Sequence, residues 1–225
     1  MSGIKTVAFF GASGGCGLAA LKHSLAEGYI CIALCRNPSK LTSLLPASSH
    51  PNVVVKQGNA HNVDDVAACL VNPTNPHAVV DAVSFSIGSP LDVCRMTVED
   101  PDVCKNGIAA VLGALETLRG RGVVGKPRMA VVSTTGISGF ARDVPVLQVP
   151  MYHILLRAPH ADKKVMEERL AGVWGGVDGG AAFVSERRGG AGEDGPGWSR
   201  GSEDGGGEQG CGLWHFEGGC REMDF

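Results

Sequence analysis

The sequence is poor in aromatic residues, at 5%, and modest in charge, at 19%, with a net charge of only −3. A near-neutral balance excludes a basic nucleic-acid binder, and 44% hydrophobic residues exclude a highly charged disordered chain. No apolar run approaches the roughly 18 residues of a membrane span. The run Thr6 to Phe10 that follows Met1 to Lys5 is too short for a signal-peptide core and is broken by Gly11. The 8 cysteines have no C-x-x-C knuckle and no pairing rhythm. Cys31 and Cys35 sit in an apolar run, and Cys16, Cys69, Cys94 and Cys104 are scattered. Free cysteine packs as a small hydrophobe, so reduced thiols and a cytoplasmic protein are expected, with neither membrane nor nucleic acid as partner. Cys211, His215 and Cys220 lack a fourth ligand, so no metal is expected. There is no internal repeat at solenoid spacing either.

What the chain has in quantity is glycine, 33 residues, unevenly placed. Residues 1–171 hold 15 of them and residues 172–225 hold 18. The first region carries 16 Lys+Arg against 13 Asp+Glu, and the second 4 against 10. The second region also lacks Lys, Ile, Thr, Asn and Tyr, and contains Trp174, Trp198 and Trp214. We therefore expect a folded domain over 1–171 and a disordered acidic tail over 172–225. Stretches such as SERRGGAGEDGPGWSRGSEDGGGEQG cannot bury enough apolar area to offset their conformational entropy. The tail reads either as an interaction segment or as GC-rich DNA translated out of frame or through an intron.

Within the first region, strands and helices alternate. Ile4 to Phe10, Tyr29 to Cys35, Asn52 to Val55, Ala78 to Phe85 and Arg128 to Ser133 read as strands. Between and after them, Cys16 to Glu27, Pro38 to Leu45, Val63 to Val71, Val103 to Leu118 and His160 to Leu170 read as helices. Asn62 is a plausible cap, with Asp65 three residues later. Pro145 to Pro150 reads as a loop, and Ala181 to Val184 as the start of a sixth strand. Continuous apolar strands imply helices on both sheet faces, hence a Rossmann-like, doubly wound parallel α/β sheet that is incomplete at its C-terminal side.

The strongest motif is FFGASGGCGLAALKHSLAEG. Gly11, Gly14 and Gly17 stand in G-x-x-G-x-x-G spacing at a strand–helix junction, with Gly15 in the same turn and Ser13 adding a hydroxyl. Such a turn brings backbone N–H groups to a pyrophosphate and lets the helix approach the sheet. The competing reading is a structural turn that binds nothing. A ribose-reading residue is due at the end of the second strand, and Arg36 stands there with Lys40 nearby. An acid would select NAD; a cation favours the 2′-phosphate of NADP.

With these motifs the sequence resembles the atypical short-chain dehydrogenase/reductase group. More specifically, it is similar to the NAD(P)H-binding families that include the nitrogen-metabolite-repressor-like regulators and the flavin/biliverdin reductases. The resemblance covers about residues 4–171 and rests on GASGGCG, LCRNPSKL, Gly58-Asn59, VVDAVSFSIGSP, VVSTTGIS and ADKKVMEERL. It implies Asn59 beside the adenine, and Ser84, Ser86 and Gly88 along the ribose and nicotinamide. It also implies Thr134 or Thr135 as the hydroxyl that polarises a substrate carbonyl, and Lys163, four before Glu167, on the nicotinamide ribose. For Ser84, Ser86 and Gly88, a plain strand end and turn is the alternative.

The departure is the proton donor. Short-chain dehydrogenases carry Tyr-x-x-x-Lys, but counting back from Lys163 gives Pro159, and from Lys164 gives His160. Histidine can serve as a general acid near neutral pH, or His160 can simply start a helix. The expectation is an NADPH-dependent oxidoreductase acting on a small carbonyl or similar electrophile. The competitors are a dinucleotide-sensing regulator with a protein partner, and an inactive truncated or mis-spliced member.

Overall fold

The first strand, β1 (Thr6–Phe10), is buried along its whole length, which is what an unbroken run of branched and aromatic side chains dictates. In the computed structural model of the protein, residues 6–89, 91–92, 97–133, 157–174 and 181–185 are described. After β1 come α1 (Gly15–Ala26), β2 (Ile30–Cys35), α2 (Pro38–Leu44), β3 (Val53–Gln57) and α3 (Val63–Leu70). Next are β4 (Val71–Asn72), β5 (Asn75–Val79), β6 (Ala82–Phe85), β7 (Leu91–Asp92) and β8 (Thr97–Val98). The described chain ends with α4 (Val103–Gly120), β9 (Arg128–Ser133), α5 (Arg157–Trp174) and β10 (Ala181–Ser185).

Six strands form one sheet in the order β10-β9-β6-β1-β2-β3, all parallel. This is the Rossmann-like arrangement expected from the alternation of elements, with the order reversing between β1 and β6. Helices cover both faces. Ala8, Phe10, Ile32, Leu34, Val83 and Phe85 pack beneath α3, α4 and α5. Val7, Phe9, Cys31, Ala33 and Val53 pack beneath α1 and α2. On this second face, among the described residues, Ser84, Ala130 and Val132 of the central strands stay half-buried.

The expected strand Ala78 to Phe85 is two separate strands. Residues of β5 pair antiparallel with β4, and Ala78 bridges Val124, so this segment leaves the main sheet. The chain rejoins it at β6 after Asp81, whose carboxylate accepts from Thr6 N at 2.7 Å and Thr6 Oγ1 at 2.8 Å. A partner 75 positions away thus breaks what reads locally as a single apolar run. At α3, Asn62 caps as expected, accepting from Asp64 N and Asp65 N. Asp65, however, does not return to the cap residue: its carboxylate accepts from Asn59 N at 2.8 Å.

The final helix is longer than its apolar periodicity indicates, running to Trp174, which is 2% exposed and donates Nε1–H to Pro127 O. The sixth strand lies at Ala181–Ser185, in register with Met129–Ser133. No described helix is long and apolar enough to cross a membrane. The expected loop Pro145 to Pro150, and Cys211, His215 and Cys220, lie outside the described residues.

Candidate functional site

The glycine turn, Arg36, Asn59 and Ser86 follow the carboxyl ends of the parallel strands β1, β2, β3 and β6, where ligands bind in open α/β sheets. The glycine turn leaves β1 and enters α1, and its glycines do different jobs. Gly11 has φ +97°, and a Cβ there would stand 2.7 Å from the Ser86 backbone at the end of β6. A Cβ on Gly17 would collide with Ser86 Oγ and with the carbonyl of Gly11. These two glycines hold turn, helix and strand in contact. Gly14 and Gly15 differ: among the described residues nothing lies within 4 Å of where their Cβ atoms would be, and both are exposed. Gly14 caps α1 without any side-chain bond, and no acid occupies the first turn. The positive end of α1 thus lies beside two glycines without side chains, an arrangement that suits a pyrophosphate. Ser13 is half-buried beside them.

Ser86 is the hinge of this arrangement. Its backbone N–H donates to Phe10 O at 2.8 Å, and its hydroxyl lies 3.2 Å from Phe10 O and 3.3 Å from Gly11 O. With its proton committed to the turn, Ser86 has only lone pairs to offer a ligand. Ser84, two residues earlier, pairs with Phe9 and Ala130 inside the sheet.

One strand out, Arg36 follows β2 and Lys40 lies in α2, and both are exposed. Among the described residues neither is paired with an acid. Two strands out, Gly58 and Asn59 follow β3, and Gly58 N donates to Cys35 O at 3.1 Å.

On the other side of the switch point, α5 carries Lys163 and His160, each half-buried. Sequence reasoning missed what places them. Asp162, 5% exposed, accepts from Cys104 N at 2.8 Å and Lys105 N at 2.7 Å, capping α4 from outside that helix. Glu167, one turn beyond Lys163, accepts from the hydroxyl of Ser133 at the end of β9. Since α5 runs back along the sheet, Lys163 lies about 6 Å further toward the ligand side than the Ser133 contact. The available signal was Asp162 itself, an acid in the i, i+4 stripe of Met166, Leu170 and Trp174. Burial pushes the Cys104 thiol up to about 12, reinforced by the nearby Asp162 and opposed by Lys163. Thr134 and Thr135 lie outside the described residues. Among the described residues no cluster of three His, Cys, Asp or Glu side chains could hold a metal ion.

Residues 11–172 match the family model described as NAD(P)H-binding. The chain belongs to this NAD(P)H-binding family. It is 36% identical over 174 residues to the reductase pytE of Aspergillus terreus, covering 73% of this chain and 66% of that one. It is 34% identical over 196 residues to the oxidase pynE of Aspergillus niger, covering 74% and 70%. The chain thus spans about two thirds of the length of these curated relatives. Among solved structures, it is similar in fold to an oxidoreductase of the short-chain dehydrogenase/reductase family from Burkholderia thailandensis. That match has a TM-score of 0.56 and 21% identity, and covers 82% of this chain and 69% of that one. The family thus accounts for the glycine turn and the strand order together.

Proposed function

We propose that this NAD(P)H-binding protein is an NADPH-dependent oxidoreductase acting on a carbonyl or similar electrophile of a small molecule. The observation that carries the reading is the bare, open turn at Gly14 and Gly15 with two acid-free cations one strand away. The turn fits a pyrophosphate, and Arg36 with Lys40 fits a 2′-phosphate that an acid in that place would repel. The Ser13 hydroxyl would donate to the same phosphates. The dinucleotide, when bound, supplies the hydride.

The remaining work falls to the chain. Ser84 and Ser86 would flank the nicotinamide ribose, with Ser86 as an acceptor only. Lys163, carried on a helix that Asp162 and Glu167 anchor, would donate to that ribose and fix the ring. Thr134 would donate its hydroxyl to the substrate oxygen, and His160 would supply the proton near neutral pH. Catalysis by this set is mostly positioning. Relatives named as a reductase and an oxidase support redox chemistry without fixing its direction.

One observation favours a second reading. Pro159 or His160 stands where short-chain dehydrogenases place their tyrosine, which suits a regulator that senses the dinucleotide and signals to a protein partner. NADPH consumption measured across a panel of aldehydes, ketones and quinones separates the two. Turnover of any of them supports the oxidoreductase; tight NADPH binding with no turnover across the panel supports the regulator.

A further inference from the structure

The start of α4 is fastened from outside its own segment. Asp102 stands at the N-cap but makes no side-chain cap bond, and its carboxylate accepts from Lys105 Nζ at 2.7 Å instead. The cap comes from Asp162 of α5, which bonds Cys104 N and Lys105 N across 58 and 57 positions. Lys105 O in turn accepts from Arg169 Nη1 at 3.3 Å. A local side chain could satisfy the same N–H groups. The distant carboxylate does one thing more: it locks the first turn of α4 to the helix that carries Lys163.

The same turn of α4 also holds the segment after β6. Cys104 donates its thiol to Ile87 O at 3.3 Å, and Asp100 N donates to Ser89 Oγ at 2.9 Å. Gly107, one turn on, lets the helix close in, since a Cβ there would stand 2.8 Å from the Phe85 ring. With Ser86 bonded to the glycine turn, residues 86–89 are tied on both sides of Gly88. Gly88 itself is exposed, and among the described residues nothing lies within 4 Å of where its Cβ would be. Lys163 is near enough for its charge to bear on the Cys104 thiol. Cys104 thus has α5 at its backbone N–H and the Gly88 segment at its sulfur. A dinucleotide with its pyrophosphate at α1 and its 2′-phosphate at Arg36 sends its other half across the end of β6, toward Gly88 and Lys163. We infer that Cys104 and Asp162 are positioning residues for the nicotinamide half, clamping the Gly88 segment and Lys163 at a fixed separation. The inference rests on the dinucleotide reading above and adds to it two buried residues that act through others. The clamp bears on one half of the ligand only, because the adenosine half lies on the far side of the glycine turn.

The test is calorimetric titration of the full chain with NADPH and with adenosine 2′,5′-bisphosphate, which lacks the nicotinamide half. The unaltered chain is expected to bind NADPH more tightly than the bisphosphate. Asp162→Ala should weaken NADPH about tenfold while holding the bisphosphate within about twofold. Asp162→Asn keeps one acceptor and should recover part of the loss. Cys104→Ala leaves its backbone bond to Asp162 in place and removes only the donor to Ile87 O. It should weaken NADPH about threefold and spare the bisphosphate, and Cys104→Ser, which keeps a donor, should restore NADPH. The Cys104 pair alone decides the matter should Asp162→Ala not fold. Met166→Ala, one turn along the same buried stripe of α5, lowers stability without touching the clamp and should leave the ratio of the two affinities unchanged. A merely structural role would lower the melting temperature and move both ligands alike. An unchanged ratio in Cys104→Ala and Asp162→Ala, the same change of ratio in Met166→Ala, or equal binding of the two ligands by the unaltered chain overturns the inference. If the unaltered chain binds neither ligand, it is the dinucleotide reading that fails, and this one falls with it.

Discussion

At the scale of single residues, the glycine motif separates into stability and binding. Gly11 needs both its positive φ and its missing side chain, so Gly11→Ala should cost about 1–3 kcal/mol, read as a lower urea midpoint. Gly14 is extended, at φ −179°, with open space around it. Gly14→Ala should leave stability within about 0.5 kcal/mol while weakening NADPH at least tenfold, because the methyl group enters the phosphate space. Equal loss of stability in both variants would contradict this division. The motif was legible in the sequence as three glycines at fixed spacing. That Gly14 is open whereas Gly11 and Gly17 are crowded depends on Ser86, some 75 positions away, and no spacing rule carries it. The buried cysteines make a second prediction at this scale. Burial raises Cys31 and Cys104 from 9.0 to about 12, and Cys69 to about 11. An unfolded chain ionises these thiols first, so the folded state is favoured fully below pH 9 and loses stability as pH rises from 9 toward 12. The melting temperature should fall through that window and fall less in Cys31→Ala than in the unaltered chain.

At the scale of elements, α5 is held by two acids that point different ways. Asp162 satisfies two N–H groups at the start of α4, and Glu167 meets Ser133 at the end of β9. Asp162→Ala leaves one buried and one half-buried donor unpaired and should destabilise by about 1–3 kcal/mol, whereas Asp162→Asn keeps one acceptor and should cost less. Urea unfolding of the two variants checks the order. The helix was legible in outline from Met166 and Leu170, but not its reach to Trp174, because tryptophan there read as part of a compositionally odd tail. The fourth strand was misread for the opposite reason. Ala78 to Phe85 looks continuous until Asp81 is seen bonding Thr6, and a long-range polar contact leaves no trace in a local apolar pattern. Strands β1 and β2 were read nearly to the residue, since burial on both faces makes their composition unambiguous, and β9 was read to the residue although Ala130 and Val132 are only half-buried.

At the scale of the whole molecule, the compositional break near residue 171 does not coincide with the end of the sheet, as Trp174 packs in the core and β10 pairs with β9. A chain ending after 185 should keep its melting temperature within a few degrees. One ending after 171 loses the Trp174 side chain and a strand, and should lose at least about 3 kcal/mol, the order of a tryptophan deletion. The sheet order places the glycine turn, Arg36 and Asn59 in line along one edge, and this alignment is the basis of the functional proposal. The measurement that tests it most directly is calorimetric titration of the protein with NADPH and NADH, alongside Arg36→Ala. The account predicts that both bind, that NADPH binds at least tenfold tighter, and that Arg36→Ala removes most of that preference while sparing NADH. Binding of neither nucleotide would contradict the cofactor reading altogether, and tighter binding of NADH would contradict the assignment of Arg36.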